Sequence, residues 1–575
     1  MSVTTWLWQP ACVPTLTILV SSAWAFLPSF DFCNFAERKT KKLNNMPLHI
    51  FFTTDIHGNY FSYDFRYRHE GDGSLQRVCA FVAEQRRRYG EENVLLLDGG
   101  DMIQGGPEAY FFNHIDNDGT HRVGEMCRFV GYDAGAVGNH DIESGAVAMR
   151  RFQQSSGYPL LAANITDSED GHPFAPYTVI RRGGMKIAVV GFTTPATKRW
   201  LPDELCKDYT FHDILESASG WAERIRQTEQ PNLLIALLHS GWKGGLHDTS
   251  WCENITKALA EQSGGYDLVL FGHDHFSRVE TVANNGGNQV TCLNAGCYGY
   301  EVGEAVVEAD AHGHLNIEGQ LHDVRRYEND SLAAFRRQFD GAFRQVLDYT
   351  STRLGTLRTR LDISKAYLGP SHYMSLIHTL QLSVSHADIS ICSPYFMDSV
   401  IEPGPFFVAD LYTIYWFEDR LYTIRMSGQE IKNLLERSYW LWTNTVSGPD
   451  ERLLKTDLDP ATGKQVFKNL YFNFDNAAGI DYEVDVTKPF GEKIHIKKMS
   501  NGTEFQLDKA YTVATIGHRA NGGGQMLTLG AGIPEEELPR RVVCYTPYDI
   551  RHYLRLFIEQ KQTVDVPLID NWRFF

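Results

Sequence analysis

None of the ten cysteines (Cys12, Cys33, Cys79, Cys127, Cys206, Cys252, Cys292, Cys297, Cys392, Cys544) stands in a CxxC pair. That spacing argues against a structural zinc site and against a dense disulfide framework. Cys292 and Cys297 are near enough in sequence to bridge, but buried free thiols are the expectation. Positive charge is scarce too: 54 Lys+Arg against 71 Asp+Glu give a formal net charge of -17. The surplus opposes loose attraction to nucleic acid or anionic lipid, so an anionic substrate must be held by local positive charge, which a metal centre supplies. No transmembrane segment, internal repeat or low-complexity stretch is present. What remains, 43% hydrophobic and 22% charged residues, is the composition of a globular protein. A chain of 575 residues is too long for one core and implies two or more domains.

Thr15 to Ala25, TLTILVSSAWA, has the apolar core and A-x-A ending (Ala23, Ala25) of a signal peptide, yet no Lys or Arg precedes it. It is too short to span a bilayer. Residues 1–46 are therefore read either as a signal, with a periplasmic or secreted protein following, or as an over-extended start of a cytoplasmic one.

The stretch around which the rest is organised is Leu268 to His275, LVLFGHDH. An apolar run breaks at glycine and presents His273 and His275, which on extended chain would point to the same side. Four other strand ends carry similar chemistry. Leu48 to Thr53 reads as a buried strand by its continuous apolar run and leads into Thr54, Asp55, Ile56, His57, Gly58. Val94 to Leu97 leads into Asp98, Gly99, Gly100, Asp101, and Ala134 to Val137 into Gly138, Asn139, His140, Asp141. Leu233 to Leu238 ends in His239, while Lys186 to Val190 is a strand ending at Gly191. Helices at Leu75 to Tyr89 and around Val123 to Val130 separate the early strands. Such alternation implies a mainly parallel or mixed sheet covered by helices, with ligands gathering beyond the carboxyl ends of the strands.

Asp55, His57, Asp101, Asn139, His239, His273 and His275 are seven ligand-type groups. Seven are too many for one tetrahedral ion and suit two ions sharing a carboxylate. Mixed nitrogen and oxygen donors favour Mn, Zn, Fe or Co over Ca or Mg. Paired ions of this kind activate water for displacement at phosphorus, and His140, beside Asn139, is placed to protonate a departing alkoxide. The expected reaction is phosphoester hydrolysis.

In that order, TTDIHG, DGGD, VGNHD, LLHSG and FGHDH resemble the five blocks of the calcineurin-like metallophosphoesterases. The resemblance implies that Asp55, His57, Asp101 and His275 hold one ion and Asp101, Asn139, His239 and His273 the other, with His140 catalytic. Farther on, ADISI (Ala387 to Ile391), LYTIRMSGQEIKNLLE (Leu421 to Glu436) and YTVATIGHRANGGG (Tyr511 to Gly524) resemble the C-terminal domain of the 5'-nucleotidase and UDP-sugar hydrolase family. Together these imply an α/β fold: a four-layer α/β/β/α catalytic sandwich over 47–330, a linker helix over 331–355 and a second, α+β domain over 356–575 that binds the substrate and rotates it towards the metals.

Three departures bear on specificity. The Asp that the family places three residues after the catalytic His is Glu143 here, long enough to orient His140. The family's NGGGIR segment is replaced by Ser393, Pro394, Tyr395, Phe396, which removes a positive anchor. The late GGDGF motif, whose Phe stacks on a base, is replaced by Gly522, Gly523, Gly524, Gln525, Met526. Phe417 in YWFEDRL matches the other stacking aromatic, and His518 and Arg519 are the candidates for its missing partner. The expected substrate is a small nucleotide or related phosphoester, most simply a 5'-nucleotide. A 2',3'-cyclic nucleotide, a nucleoside diphosphate sugar, a non-nucleotide phosphate and a silent binding protein are the alternatives. A nucleic acid polymer is not expected as a partner, and the oligomeric state is left open.

Overall fold

The computed structural model describes residues 46–575 apart from 248, 263–264, 311, 398, 449–450 and 459–464. The signal or over-extended start expected before Met46 lies outside the described residues. Among those residues no helix is long and apolar enough to cross a membrane.

Leu48–Thr53 is a strand with every residue buried. It pairs parallel with Val94–Asp98 and antiparallel with Glu301–Ala309. Alternate side chains serve two different cores, as strand geometry requires. Ile50 and Phe52 join Leu95 and Leu97 in a layer between two sheets, where they meet Ile187, Val189, Ile235 and Leu237 from the facing one. Phe51, Val94 and Leu96 turn outward beneath the helices Leu75–Tyr89, Arg122–Val130 and Gly145–Ser156. The facing sheet runs in the order 278–283, 289–294, 268–271, 233–239, 185–193, 177–182. Its outer side is covered by Ile214–Thr228 and Thr256–Gln262. The result is four layers, α/β/β/α, with two mixed six-stranded sheets rather than one.

The strand expected to stop at Gly191 runs from Met185 to Thr193. A Cβ on Gly191 would lie 2.3 Å from the Leu161 side chain, so the glycine marks a close approach between the sheets rather than a strand end. Helix Leu75–Tyr89 starts at Ser74, whose side chain accepts from the Arg77 amide, and three arginines fill its last turn. One of these, Arg86, donates to the carbonyls of Val130 and Gly131 at 2.6 Å each. It therefore ties two helices together as well as complementing the helix dipole.

The single helix expected over 331–355 is two helices, Asp330–Gln338 and Asp340–Thr350, followed by the strand Arg353–Leu357. Phe339 breaks the run with φ -110 and ψ 23; its buried ring packs 4.9 Å from that of Phe335. The strand that follows pairs with Gly404–Phe407 and Thr563–Val564, so second-domain structure begins before residue 356.

The second domain is built on a five-stranded sheet in the order 476–478, 389–392, 510–516, 420–427, 542–549. The segment LYTIRMSGQEIKNLLE turns from strand Arg420–Ser427 into helix Gly428–Trp442 at a capping box formed by Ser427 and Glu430, the reciprocal bonding that satisfies two orphan amides. Along that helix Tyr439 and Trp442 are buried in the core, while Trp440 lies outside.

Candidate active site

The loops that follow five strands bring the predicted residues to one end of the sandwich. Asp101 Oδ2 lies 3.1 Å from His239 Nε2 and 3.6 Å from His57 Nε2. Asp55 Oδ1 lies 3.2 Å from His275 Nε2 and 3.7 Å from His57 Nε2. Asn139 Oδ1 is 3.0 Å from His239 Nε2. Two groups, Asp55–His57–His275 and Asp55–Asp101–His239, have ligand atoms within 4.8 Å of one another.

His273 and His275 do not face one point as extended chain would have them. Their φ values are 79 and 61, which turns the two rings apart. His275 joins His57, with Nε2 atoms 3.0 Å apart, while the His273 ring stands 5.2 Å from that of His239. Asp55, His57 and Asp101 are also left-handed, with φ of 53, 48 and 55. Five of the seven residues thus hold a backbone conformation that costs of order 1–3 kcal/mol each in non-glycine residues.

Neighbouring groups decide which nitrogen each ring offers. His57 Nδ1 lies 3.0 Å from the Gln104 carbonyl and His239 Nδ1 2.8 Å from that of Gly99. A carbonyl only accepts, so Nδ1 carries a proton, and in the neutral ring it is Nε2 that offers a lone pair to the site. His273 is reversed: its Nε2 donates to Glu253 at 3.0 Å, which leaves Nδ1 free.

The donor set fits cations. Asp55 Oδ1 is buried without a hydrogen-bond partner, although its other oxygen accepts from Thr54 Oγ1 at 2.5 Å and the His273 amide at 3.0 Å. An orphaned buried carboxylate oxygen beside two converging imidazole nitrogens is a costly arrangement unless a positive charge completes it. Burial opposes ionisation of Asp55, yet His275, His57 and His239 hold its carboxyl well below the usual range. Burial opposes Asp101 likewise, and His239 and His140 outweigh it and lower the group.

His140 follows Asn139 at the start of helix Asn139–Glu143. Its amide donates to Asp101 Oδ1 at 2.9 Å and its Nδ1 meets the Glu143 carboxylate. Burial alone would depress this imidazole, but Asp101 and Glu143 outweigh it and raise the group to about 9.

Several supporting residues were not singled out from sequence. Asp141 accepts the amides of Asp101, Met102, Ile103 and Gly138 at 2.9 to 3.0 Å and so fixes two of the five loops. Its position three residues after Gly138, typical of a helix-start acid, was the available signal. Glu253, on a hairpin outside the five strand-end blocks, and Trp200, stacked 5.4 Å from His273, had none.

In the second domain, Phe417 lies beside a cavity of about 280 Å³ that reaches back to Gly58 and Tyr298 next to the ligand cluster. Arg519, one of its two candidate partners, is 1% exposed. Its Nε is 2.9 Å from Asp475 Oδ2, and its guanidinium donates to Asn473, Gly523 and Phe472. These bonds hold the edges of the guanidinium, and at 1% exposure it presents no face to a ligand, which corrects the stacking role considered for it. His518 is half-buried, with Phe472 the ring near it at 6.5 Å. Burial and then Arg519 depress it to about 4. The Gly522 to Gly524 run is a turn wrapped on these residues: a Cβ on Gly524, at φ 65, would fall 2.0 Å from Asn473 Oδ1.

Residues 48–277 match the calcineurin-like phosphoesterase family and residues 349–530 the 5'-nucleotidase C-terminal domain family. A trifunctional nucleotide phosphoesterase of Bacillus subtilis, YfkN, is 24% identical over 593 aligned positions; the match takes in 91% of this chain but 38% of that protein's length. A 2',3'-cyclic-nucleotide 2'-phosphodiesterase/3'-nucleotidase of Yersinia enterocolitica is 22% identical, over 84% of this chain and 82% of its own. A solved candidate 5'-nucleotidase from Staphylococcus aureus superposes with a TM-score of 0.74 at 22% identity, covering 92% of this chain and 99% of that one, a likeness of fold.

Proposed function

Because the chain belongs, through residues 48–277, to the calcineurin-like phosphoesterases and, through 349–530, to proteins with a 5'-nucleotidase C-terminal domain, we propose that it is a metal-dependent phosphoester hydrolase that releases phosphate from 5'-nucleotides. The observation that carries this reading is the convergence of Asp101 with His239 and His57, at 3.1 and 3.6 Å, beside the orphaned oxygen of Asp55. Asp55, His57, Asp101 and His275 would hold one divalent ion and Asp101, Asn139, His239 and His273 a second, with Asp101 shared. Mn, Zn, Fe and Co are the ions this donor set suits. When bound, such a pair lowers the pKa of a water and neutralises phosphoryl oxygens.

The chain's own contribution is orientation and proton transfer. Glu143 holds His140 Nδ1, so Nε2 is the atom turned to substrate. As the bond from water oxygen to phosphorus forms and the bond to the leaving oxygen breaks, His140 Nε2 gives its proton to that oxygen. The name of the Yersinia relative, which is matched over most of both chains, supports a 2',3'-cyclic nucleotide as a second substrate for the same machinery.

Chelation tests the reading. Purified protein treated with EDTA should lose hydrolysis of a nucleotide and of p-nitrophenyl phosphate, and Mn or Co should restore both. Hydrolysis indifferent to EDTA would overturn it.

A further inference from the structure

His273 is held on two sides by residues outside the five strand-end blocks. Its Nε2 donates to Glu253 Oε1 at 3.0 Å, and the second oxygen of that carboxylate accepts the Leu246 amide at 2.7 Å. One hydrogen bond fixes one end of an imidazole and leaves its plane free to tilt. The indole of Trp200 removes that freedom: its ring centre lies 5.4 Å from that of His273, with 29° between the planes. Trp200 Nε1 is buried without a hydrogen-bond partner, so the indole acts here through its face and not through its N–H.

Trp200 belongs to the segment 194–206, which leaves strand Met185–Thr193 and runs through the one-turn helices Thr197–Trp200 and Asp203–Cys206. Thr194 begins it at the ligand cluster: its amide donates to the His239 carbonyl at 2.9 Å and its hydroxyl to the Glu253 carbonyl at 3.0 Å. The far side of the segment meets the second domain. The last carbonyls of a helix lack intrahelical partners, and that of Trp200 accepts Asn521 Nδ2 at 3.2 Å. Arg199 pairs with Glu535 at 2.8 Å, and Glu204 accepts from the Tyr545 hydroxyl at 3.0 Å. The indole that backs His273 is therefore fastened to one domain by its chain and to the other by its carbonyl.

Resting on the reading given under Proposed function, in which His273 holds the second ion, we infer that Trp200 is a positioning residue for that ion and that the second domain, through Asn521, sets its hold. With the second domain in contact, Trp200 stays over His273 and Nδ1 keeps its aim. With the contact released, the ring gains freedom and the ion is held less tightly. Residues that orient a metal-ligating histidine are worth about 10- to 100-fold in metal affinity. Second-domain contact and affinity for one ion are thus linked, and by reciprocity an ion at His273 favours the contact with Asn521.

The test is equilibrium dialysis of the metal-depleted full-length protein against Mn, with bound ions counted at each free concentration. The unsubstituted protein should bind two ions. Trp200→Ala should weaken one of them about 10- to 100-fold and leave the other unchanged, whereas Trp200→Phe, which keeps a flat face, should bind both as the unsubstituted protein does. Asn521→Ala should weaken the same ion by about fivefold, the worth of one hydrogen bond. Both ions held at full affinity in Trp200→Ala, or both weakened alike, would overturn the positioning role. A loss in Trp200→Phe equal to that in Trp200→Ala would overturn the stacking argument. Unchanged affinity in Asn521→Ala, which removes no ring from the core, would overturn the link to the second domain even where Trp200→Ala fails to fold. Fewer than two ions on the unsubstituted protein would overturn the two-ion reading itself, a failure that shows before any substitution is made.

Discussion

In the first domain five of the seven ion-ligand candidates hold left-handed backbone, whereas in the second Phe417, His518 and Arg519 hold ordinary conformations. The first set is locked from behind by Asp141, Glu253 and the carbonyls of Gly99 and Gln104. The second is mixed: Arg519 is tied down by Asp475 and Asn473, while Phe417 is 37% exposed. The contrast is between a cluster whose loops and rings are held by hydrogen bonds from behind and an aromatic ring left partly exposed. Strain of the first kind persists where surrounding structure over-determines it, and the buried sheets supply that structure.

Removing the proposed proton donor should produce the largest change and sharpen the contrast most. His140→Gln should lower kcat on nucleotides and on p-nitrophenyl phosphate alike by about 10²–10⁴-fold, with the bound-metal content of the protein unchanged. Equal kcat in the variant would break the division of labour by removing chemistry from His140, and loss of metal would make the residue a support for the ion cluster.

A change in the second domain should be smaller and of a different kind. Phe417→Ala should raise KM for a nucleotide by roughly tenfold, about 1–3 kcal/mol of stacking, without a matching change for p-nitrophenyl phosphate. Equal effects on both substrates would mean that the second domain reads no ring, and the contrast between rigid chemistry and adaptable recognition would fail.

How far these features were legible follows the same line. The strand Leu48–Thr53, the helix Leu75–Tyr89 and the strand Leu268–Phe271 were readable because unbroken apolar or amphipathic runs stop sharply at polar residues or glycine. The ligand-type residues were readable because strand ends in such sheets meet at one edge. Which way each ring turns was not, since the left-handed φ at His273 and His275 cancels the alternation of extended chain. Arg519 shows the limit in the second domain. A guanidinium is equally suited to stacking and to ion pairing, and only folding brings Asp475, far along the chain, to 2.9 Å. The linker's break at Phe339 was hidden because each half keeps helical periodicity and the break arises from where one ring finds its core.

The smallest expected effect concerns one of the contacts that join the two regions. His114, on the short turn Phe111–Ile115 of the first domain, lies 3.1 Å from Glu418 of the second. Burial works against the charged imidazole, but Glu418 outweighs it and raises His114, while burial of Glu418 is overcome by His114 and Arg551, which lower it. A raised histidine stabilises fully below its unfolded value near 6.5 and loses that contribution as pH climbs through the folded value. A lowered glutamate contributes above its unfolded value near 4.3 and loses the contribution as pH falls. Their joint stabilisation is therefore greatest between about pH 4.5 and 6.5 and fades towards alkaline pH. Because the His114 side chain is 37% exposed, the effect is screened and should amount to about 1 kcal/mol or less. His114→Ala should lower Tm relative to the unsubstituted protein most at about pH 6 and progressively less as the pH is raised. Glu418 keeps Arg551 at 3.4 Å, so the substitution strands no buried charge. A Tm difference independent of pH would show that the His114 ring acts by packing alone, and that the two domains are joined without an electrostatic contribution from this pair.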